Sequence, residues 1–125
     1  DFQQLYLVKK HISKIYKSKI ISCKTVRDKN KLALSSRNLL LNKVEIFKAG
    51  KIAKDLISFK KKLIKRKNYK ILLSNKKKEL INLYNIRIEY LELRNISNLQ
   101  NSVKLRNAKL FFAYYMNSIR LIDNY

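Results

Sequence analysis

Leu32-Ala33-Leu34-Ser35-Ser36-Arg37-Asn38 is the stretch from which this chain is best read. A short apolar run ends in a polar Ser-Ser-Arg-Asn cluster, and a long helical pattern follows. Two hydroxyls and a guanidinium at a strand-to-helix junction suit a phosphate. Hydroxyls and backbone N–H groups supply hydrogen bonds, and Arg supplies a planar, permanently charged fork. A helix beginning just beyond would add its positive dipole end. Ser-Ser-Arg also occurs by chance, so the cluster gains weight from both ends of the chain. These open on Asp1-Phe2-Gln3-Gln4 and close on Arg120-Leu121-Ile122-Asp123-Asn124.

Outward from that stretch the periodicity changes several times. Residues 2–17 predict a helix, with Leu5, Val8, Ile12 and Ile15 on one stripe. Ile20 to Thr25 predict a buried strand, and Arg27 to Lys31 a polar loop. A second helix is expected from about Lys43 to Leu63, with Ile46, Ala49, Ala53, Leu56 and Leu63 on one face and mostly Lys opposite. Arg66 to Tyr69 read as a linker, and Ile71 to Tyr84 as a shorter helix.

The period then becomes two. Ile86, Ile88 and Tyr90 alternate with Arg87 and Glu89, which marks a strand reaching Leu93. Residues 94–107 are polar and irregular. Lys109 to Met116 are apolar on both faces, as a central strand would be. Asn117-Ser118 suits a tight hairpin turn, because Asn tolerates φ > 0, and Ile119 to Asp123 form the third strand. This order divides the chain in two. Residues 1–41 are a fragment of an α/β sheet that cannot bury itself alone. Residues 42–125 are helices followed by a small antiparallel sheet, a lid-like α+β domain.

Composition bounds the function less than it first suggests. The 125 residues carry 30 Lys and Arg against 8 Asp and Glu, a formal charge of +22. Such a charge fits a nucleic-acid or anionic-membrane binder. However, 23 of the 30 are Lys, Gly occurs once and Pro never, while Ile, Asn and Tyr abound. AT-biased coding produces that profile with no nucleic-acid partner, and the Lys are spread along the whole chain. No stretch approaches the length of a membrane span. Cys23 is the only cysteine and sits in an apolar run, where a buried, inert thiol is expected. The single His11 lies among lysines, as a surface residue would. One His and one Cys exclude a Cys/His zinc site, and no metal ligands are assigned. The chain lacks a starting Met and a signal-peptide profile, and reads as a piece of a longer polypeptide.

Taken in order, Asp1 to Gln4, Thr25 to Asp28, Leu32 to Asn38, Tyr90 to Leu93 and Arg120 to Asn124 resemble the C-terminal half of the pantothenate synthetase (pantoate–β-alanine ligase) family. That family's segments run Lys-Asp-Tyr/Phe-Gln-Gln, Thr-Val-Arg-Glu, Gly-Leu-Ala-x-Ser-Ser-Arg-Asn, Tyr-Leu-Glu-Leu and Arg-Leu-Ile-Asp-Asn. The resemblance implies an α/β fold: the C-terminal edge of a Rossmann-like nucleotidylyltransferase domain over 1–41, then the lid over 42–125. It implies an AMP-forming ligase that activates pantoate with ATP as pantoyl adenylate and passes it to β-alanine. Mg²⁺ would escort ATP, the compartment would be cytoplasmic, and the full-length enzyme would be a homodimer.

By matched residue, the resemblance assigns ATP phosphates to Ser35, Ser36 and Arg37, the ribose to Asp1, adenine to the backbone at Val26, and pantoate to Gln4. Three bland roles compete: Asp1 as a helix N-cap, Ser35 as a loop hydroxyl and Arg37 as a surface charge. The chain departs from the family pattern at Lys31, Lys24 and Asn117, which stand where the family has Gly, Pro and Gly. The family's His-x-Gly-His motif is absent, since one His and one Gly do not suffice. Its N-terminal half is therefore expected to be a missing partner, and the 125 residues alone are expected to be inactive. The alternative function is a small basic RNA-binding or organellar ribosomal protein, which would have no use for these motifs at these spacings.

Overall fold

The protein was analysed as a computed structural model, which describes residues 1–16, 19–63, 68–102 and 104–125. Helix α1 spans Phe2–Ile15, α2 Lys43–Leu63 and α3 Tyr69–Tyr84. Strands β1 (Arg87–Asn95), β2 (Ala108–Met116) and β3 (Ile119–Asn124) form one antiparallel sheet in the order β1-β2-β3. The mixed helix and strand architecture agrees with the expected fold class, and β2 is central as its apolar pattern predicts. Of the expected linker, residues 66 and 67 lie outside the described residues, Asn68 is the N-cap position of α3 and Tyr69 its first residue.

The sheet has two differently covered faces, because successive β2 side chains alternate. Leu110, Phe112 and Tyr114 point into the core with Ile52 and Leu56 of α2 and Leu80 of α3. Phe112 and Tyr114 stack with ring centres 4.7 Å apart. On the other face Phe111 meets Phe2 of α1 edge-on at 5.8 Å. Beyond that first turn α1 has little cover. Ile12 and Ile15 of the predicted stripe are 37% and 71% exposed.

Local chemistry sets the element ends. Asn42 and Glu45 exchange side-chain-to-backbone hydrogen bonds of 2.8 and 2.9 Å, a capping box that starts α2. Glu45 also accepts from the Asn117 amide in the β2–β3 turn. That turn is the predicted two-residue hairpin, with Asn117 at φ 52°. Between α2 and α3 the buried Lys76 ammonium donates to Asp55 at 2.6 Å and Glu79 at 2.8 Å.

The predicted strand at 20–25 does not form. Ile21 is 76% exposed and Cys23 is exposed, so the expected buried thiol is corrected as well. A strand requires a hydrogen-bonded neighbour, and none of the described strands pairs with this segment. Order begins at an isolated bridge between Arg27 and Ala33, which closes a tight loop. Asp28 Oδ1 accepts from the N–H groups of Asn30 and Leu32. Lys31 takes φ 71°, the left-handed conformation that favours the family's Gly. The loop presses on α2 at Gly50, where a Cβ would stand 2.7 Å from Asn30 Cβ. Close approach thus accounts for the single glycine. Leu32 and Leu41 then enter the same core as α2 and the sheet.

Three outcomes follow for stability. Lys31→Gly should raise unfolding free energy by about 0.5–1 kcal/mol, because relief of left-handed strain exceeds the added chain entropy, whereas Lys31→Ala should be near neutral. Gly50→Ala should lower it by about 1–3 kcal/mol despite better helix propensity, because the extra methyl has no room. Urea unfolding measures both. Burial alone would lower the Lys76 pKa, but its bonds to Asp55 and Glu79 outweigh that and raise it above 10.5. Its contribution is full below the unfolded pKa and lost as pH rises through the folded one. The stability difference between the wild type and Lys76→Met should therefore stay flat from pH 8 to 10 and change only above that.

Candidate functional site

The Ser-Ser-Arg segment does not lead straight into a long helix. Ser36–Leu40 form a short 3-10 turn, and α2 starts only at Lys43. The expected helix-dipole contribution at Ser35 is therefore corrected: a single tight turn carries too few aligned peptides. The loop has its own fastenings instead. Ser35 Oγ accepts from the Arg37 N–H at 3.2 Å, and the Asn38 side-chain amide donates to the Ala33 carbonyl at 2.9 Å. The Leu34 N–H donates to the Val26 carbonyl at 3.0 Å.

A cleft of about 200 Å³ opens beside this loop. Asp1, Gln3, Ser35, Asp123 and Asn124 give it polar walls, and Tyr90, Phe111 and Ile122 give it an apolar floor. Below lies an enclosed recess of about 20 Å³ bordered by Ser35, Arg37, Asn38, Tyr114, Asp123 and Tyr125. Ser35 and Asp123 belong to both spaces. The chain's opening, middle and closing motifs thus converge on one place.

The predicted site residues fall into three groups. Asp1 and Ser35 share the cleft, and Arg37 reaches its lower recess. The Arg37 guanidinium has no hydrogen bond or ion pair among the described residues, unlike those of Arg27, Arg94 and Arg120. Ser36 and Val26 are exposed and line neither space. Asp1 also caps α1, its Oδ1 accepting from the N–H groups of Gln3 at 2.8 Å and Gln4 at 3.4 Å. Its second carboxylate oxygen is outside those bonds. Gln4 is exposed and outside the cleft wall, where Gln3 stands instead. The reason is helical phase: with Asp1 at the cap, the residue two positions on turns toward the sheet.

Two residues that sequence reasoning passed over frame the site. Arg27 grips Asp123 through both Nη atoms, at 2.7 and 2.8 Å. Its guanidinium also donates to the carbonyls of Lys31 and Asn124 and lies 4.9 Å from the Tyr125 ring centre. Burial, then the charge and hydrogen bond of Asp123, push the Tyr125 phenol well above its ordinary range. Burial and the Arg27 charge hold the nearby Lys109 ammonium below its ordinary pKa. The signal for the pair was present: opposite charges within two of the quoted motifs.

No three His, Cys, Asp or Glu side chains among the described residues converge as a metal site. Likewise, no helix among them is long and apolar enough to cross a membrane.

Known proteins resemble this chain along its whole length. The chain is 35% identical over 126 residues to pantothenate synthetase of Chelativorans sp., covering 99% of this chain and 44% of that protein. It is 36% identical over 135 residues to the Wigglesworthia glossinidia brevipalpis protein, covering 99% and 46%. It therefore spans about half the length of the relatives it matches. The pantothenate synthetase structure from Thermus thermophilus superposes with a TM-score of 0.87 at 25% identity, over 100% of this chain and 46% of that one. The Francisella tularensis pantoate-β-alanine ligase, solved in complex with β-γ ATP and β-alanine, matches at TM-score 0.64 and 29% identity, over 100% and 40%. The family profile described as pantoate-beta-alanine ligase covers residues 1–125 from end to end, and the chain belongs to that family.

Proposed function

We propose that this chain supplies the C-terminal part of an ATP-dependent, AMP-forming ligase that condenses pantoate with β-alanine. The observation that carries this reading is the cleft shared by Asp1 and Ser35, with the unpaired Arg37 guanidinium beside it, in a chain matched throughout by the family. The complex of the Francisella relative with a nucleotide and β-alanine supports the same substrates.

In the first half-reaction a pantoate carboxylate oxygen attacks the α-phosphorus of ATP, and the bond to pyrophosphate breaks. Negative charge grows on the departing phosphates. Ser35, Ser36 and Arg37 meet it with hydroxyls, backbone N–H groups and a fixed cation, donors worth most where charge develops. The free oxygen of Asp1 accepts from the ribose hydroxyls while its partner caps α1. The backbone at Val26 meets adenine and the exposed Gln4 donates its amide to pantoate, both outside the described cleft, on surface that an N-terminal half would complete. In the second half-reaction the β-alanine amine attacks the mixed anhydride, and AMP leaves. Mg²⁺ enters as MgATP, a substrate. The full-length enzyme is a cytoplasmic homodimer, and the two-His phosphate contact comes from an N-terminal half.

The 125-residue chain alone should release no AMP above background from MgATP, pantoate and β-alanine. A chimera placing it behind the N-terminal half of the Wigglesworthia enzyme should release AMP in a pantoate-dependent way. In that chimera Arg37→Ala should lower adenylate formation by roughly 10²-fold, and Arg37→Lys should recover only part. Reaction of supplied pantoyl adenylate with β-alanine should change less, because no pyrophosphate departs. A folded chimera without pantoate-dependent AMP release, or equal losses in both half-reactions, would overturn the assignment.

A further inference from the structure

The Ser35–Arg37 loop is exposed and short, so something must hold its donors in place. Its own turn contributes a few backbone bonds, but the loop enters through Lys31, whose φ of 71° is unfavourable for a side chain. The group that holds this residue is Arg27, four positions earlier, and Arg27 is itself held from the far end of the chain. Arg27 Nη1 donates to the Lys31 carbonyl at 2.9 Å and to Asp123 Oδ2 at 2.7 Å, while Nη2 donates to Asp123 Oδ1 at 2.8 Å. Asp123 lies on β3, anchored to the central strand through its Phe112 pairing, and its side chain is 7% exposed. The same residue borders both the cleft and the recess.

We propose that Asp123 and Arg27 are positioning residues for the phosphate-binding loop: β3 fixes the carboxylate, the carboxylate fixes the guanidinium, and the guanidinium fixes the strained entry to Ser35. This rests on the reading that Ser35–Arg37 receive the ATP phosphates. Only Arg can perform this task, since a planar fork bonds both carboxylate oxygens and still has an N–H for the carbonyl. Lys would keep the charge and lose the geometry. The pair 96 residues apart thereby ties the closing Arg-Leu-Ile-Asp-Asn motif to the Ser-Ser-Arg motif.

Amide exchange on the 125-residue chain tests this, with tripolyphosphate as the probe and amide chemical shifts as its readout. In Arg27→Lys and in Asp123→Asn, the Leu34 and Asn38 amides should exchange about tenfold faster or more, while amides within β1 and β2 keep their protection. The tripolyphosphate response at Ser35–Arg37 should weaken about fivefold or more in both variants. A merely architectural pair would instead release loop and sheet together, with the response of the still-folded fraction unchanged. Either that result or loop exchange at wild-type rates in both variants overturns the proposal. The phosphate reading has a separate control. Ser36→Ala and Arg37→Ala should abolish most of the tripolyphosphate response with loop protection retained. If the response survives both, the phosphate reading fails, and the exchange data still decide whether the pair positions the loop.

Discussion

The Arg27–Asp123 pair is the contact on which the arrangement of this molecule depends. It is largely screened from solvent and bidentate, and each partner spends its remaining capacity on its neighbours. An exposed ion pair would contribute little. This one differs in kind, because removing either member leaves a largely buried charge without its partner. Without it, the segment ahead of Ser35 would keep Leu32 in the core and the Asn30 contact on α2. The cleft exists because this pair draws the chain's middle and its closing strand to one point.

The rest of the charge distribution obeys a similar economy. The chain has eight acidic residues, and every one has a defined task. Asp1, Asp28 and Glu45 satisfy backbone N–H groups at a helix start, a loop and a capping box. Asp55 and Glu79 neutralise Lys76, while Glu89, Glu92 and Asp123 each hold an arginine. Most lysines, by contrast, lie on solvated faces. Exposed positions accept a cation at little cost, whereas positions where an acid satisfies a buried or backbone donor do not accept its loss.

Features set by neighbours in sequence were legible before the structure was known. The 3.6-residue face of α2, the alternation in β1, the two-faced apolarity of β2 and the Asn117 turn all follow from local periodicity or local backbone preference. Features set by distant partners were not. Ile20 to Thr25 have a strand's composition, but pairing decides strands, and no described strand reaches them. Cys23 follows that segment into solvent. Gln3 rather than Gln4 entered the cleft wall because Asp1 became the cap, which set the rotation of α1. The Arg27–Asp123 fork spans 96 positions. Its two halves were visible as motifs, but their contact was not.

Lys31 shows how such a site survives substitution. A side chain at φ 71° carries a steric cost of about 1–2 kcal/mol that glycine avoids. Yet the loop keeps its shape, because Asp28 satisfies the amides of Asn30 and Leu32 and Arg27 holds the Lys31 carbonyl. Three fixed bonds around one strained residue leave the backbone no cheaper alternative, since relaxing φ would break at least one of them. The cost therefore falls on global stability and not on the placement of Ser35. A family position that demands glycine for ease can be filled by lysine, so long as the groups enforcing the turn are intact.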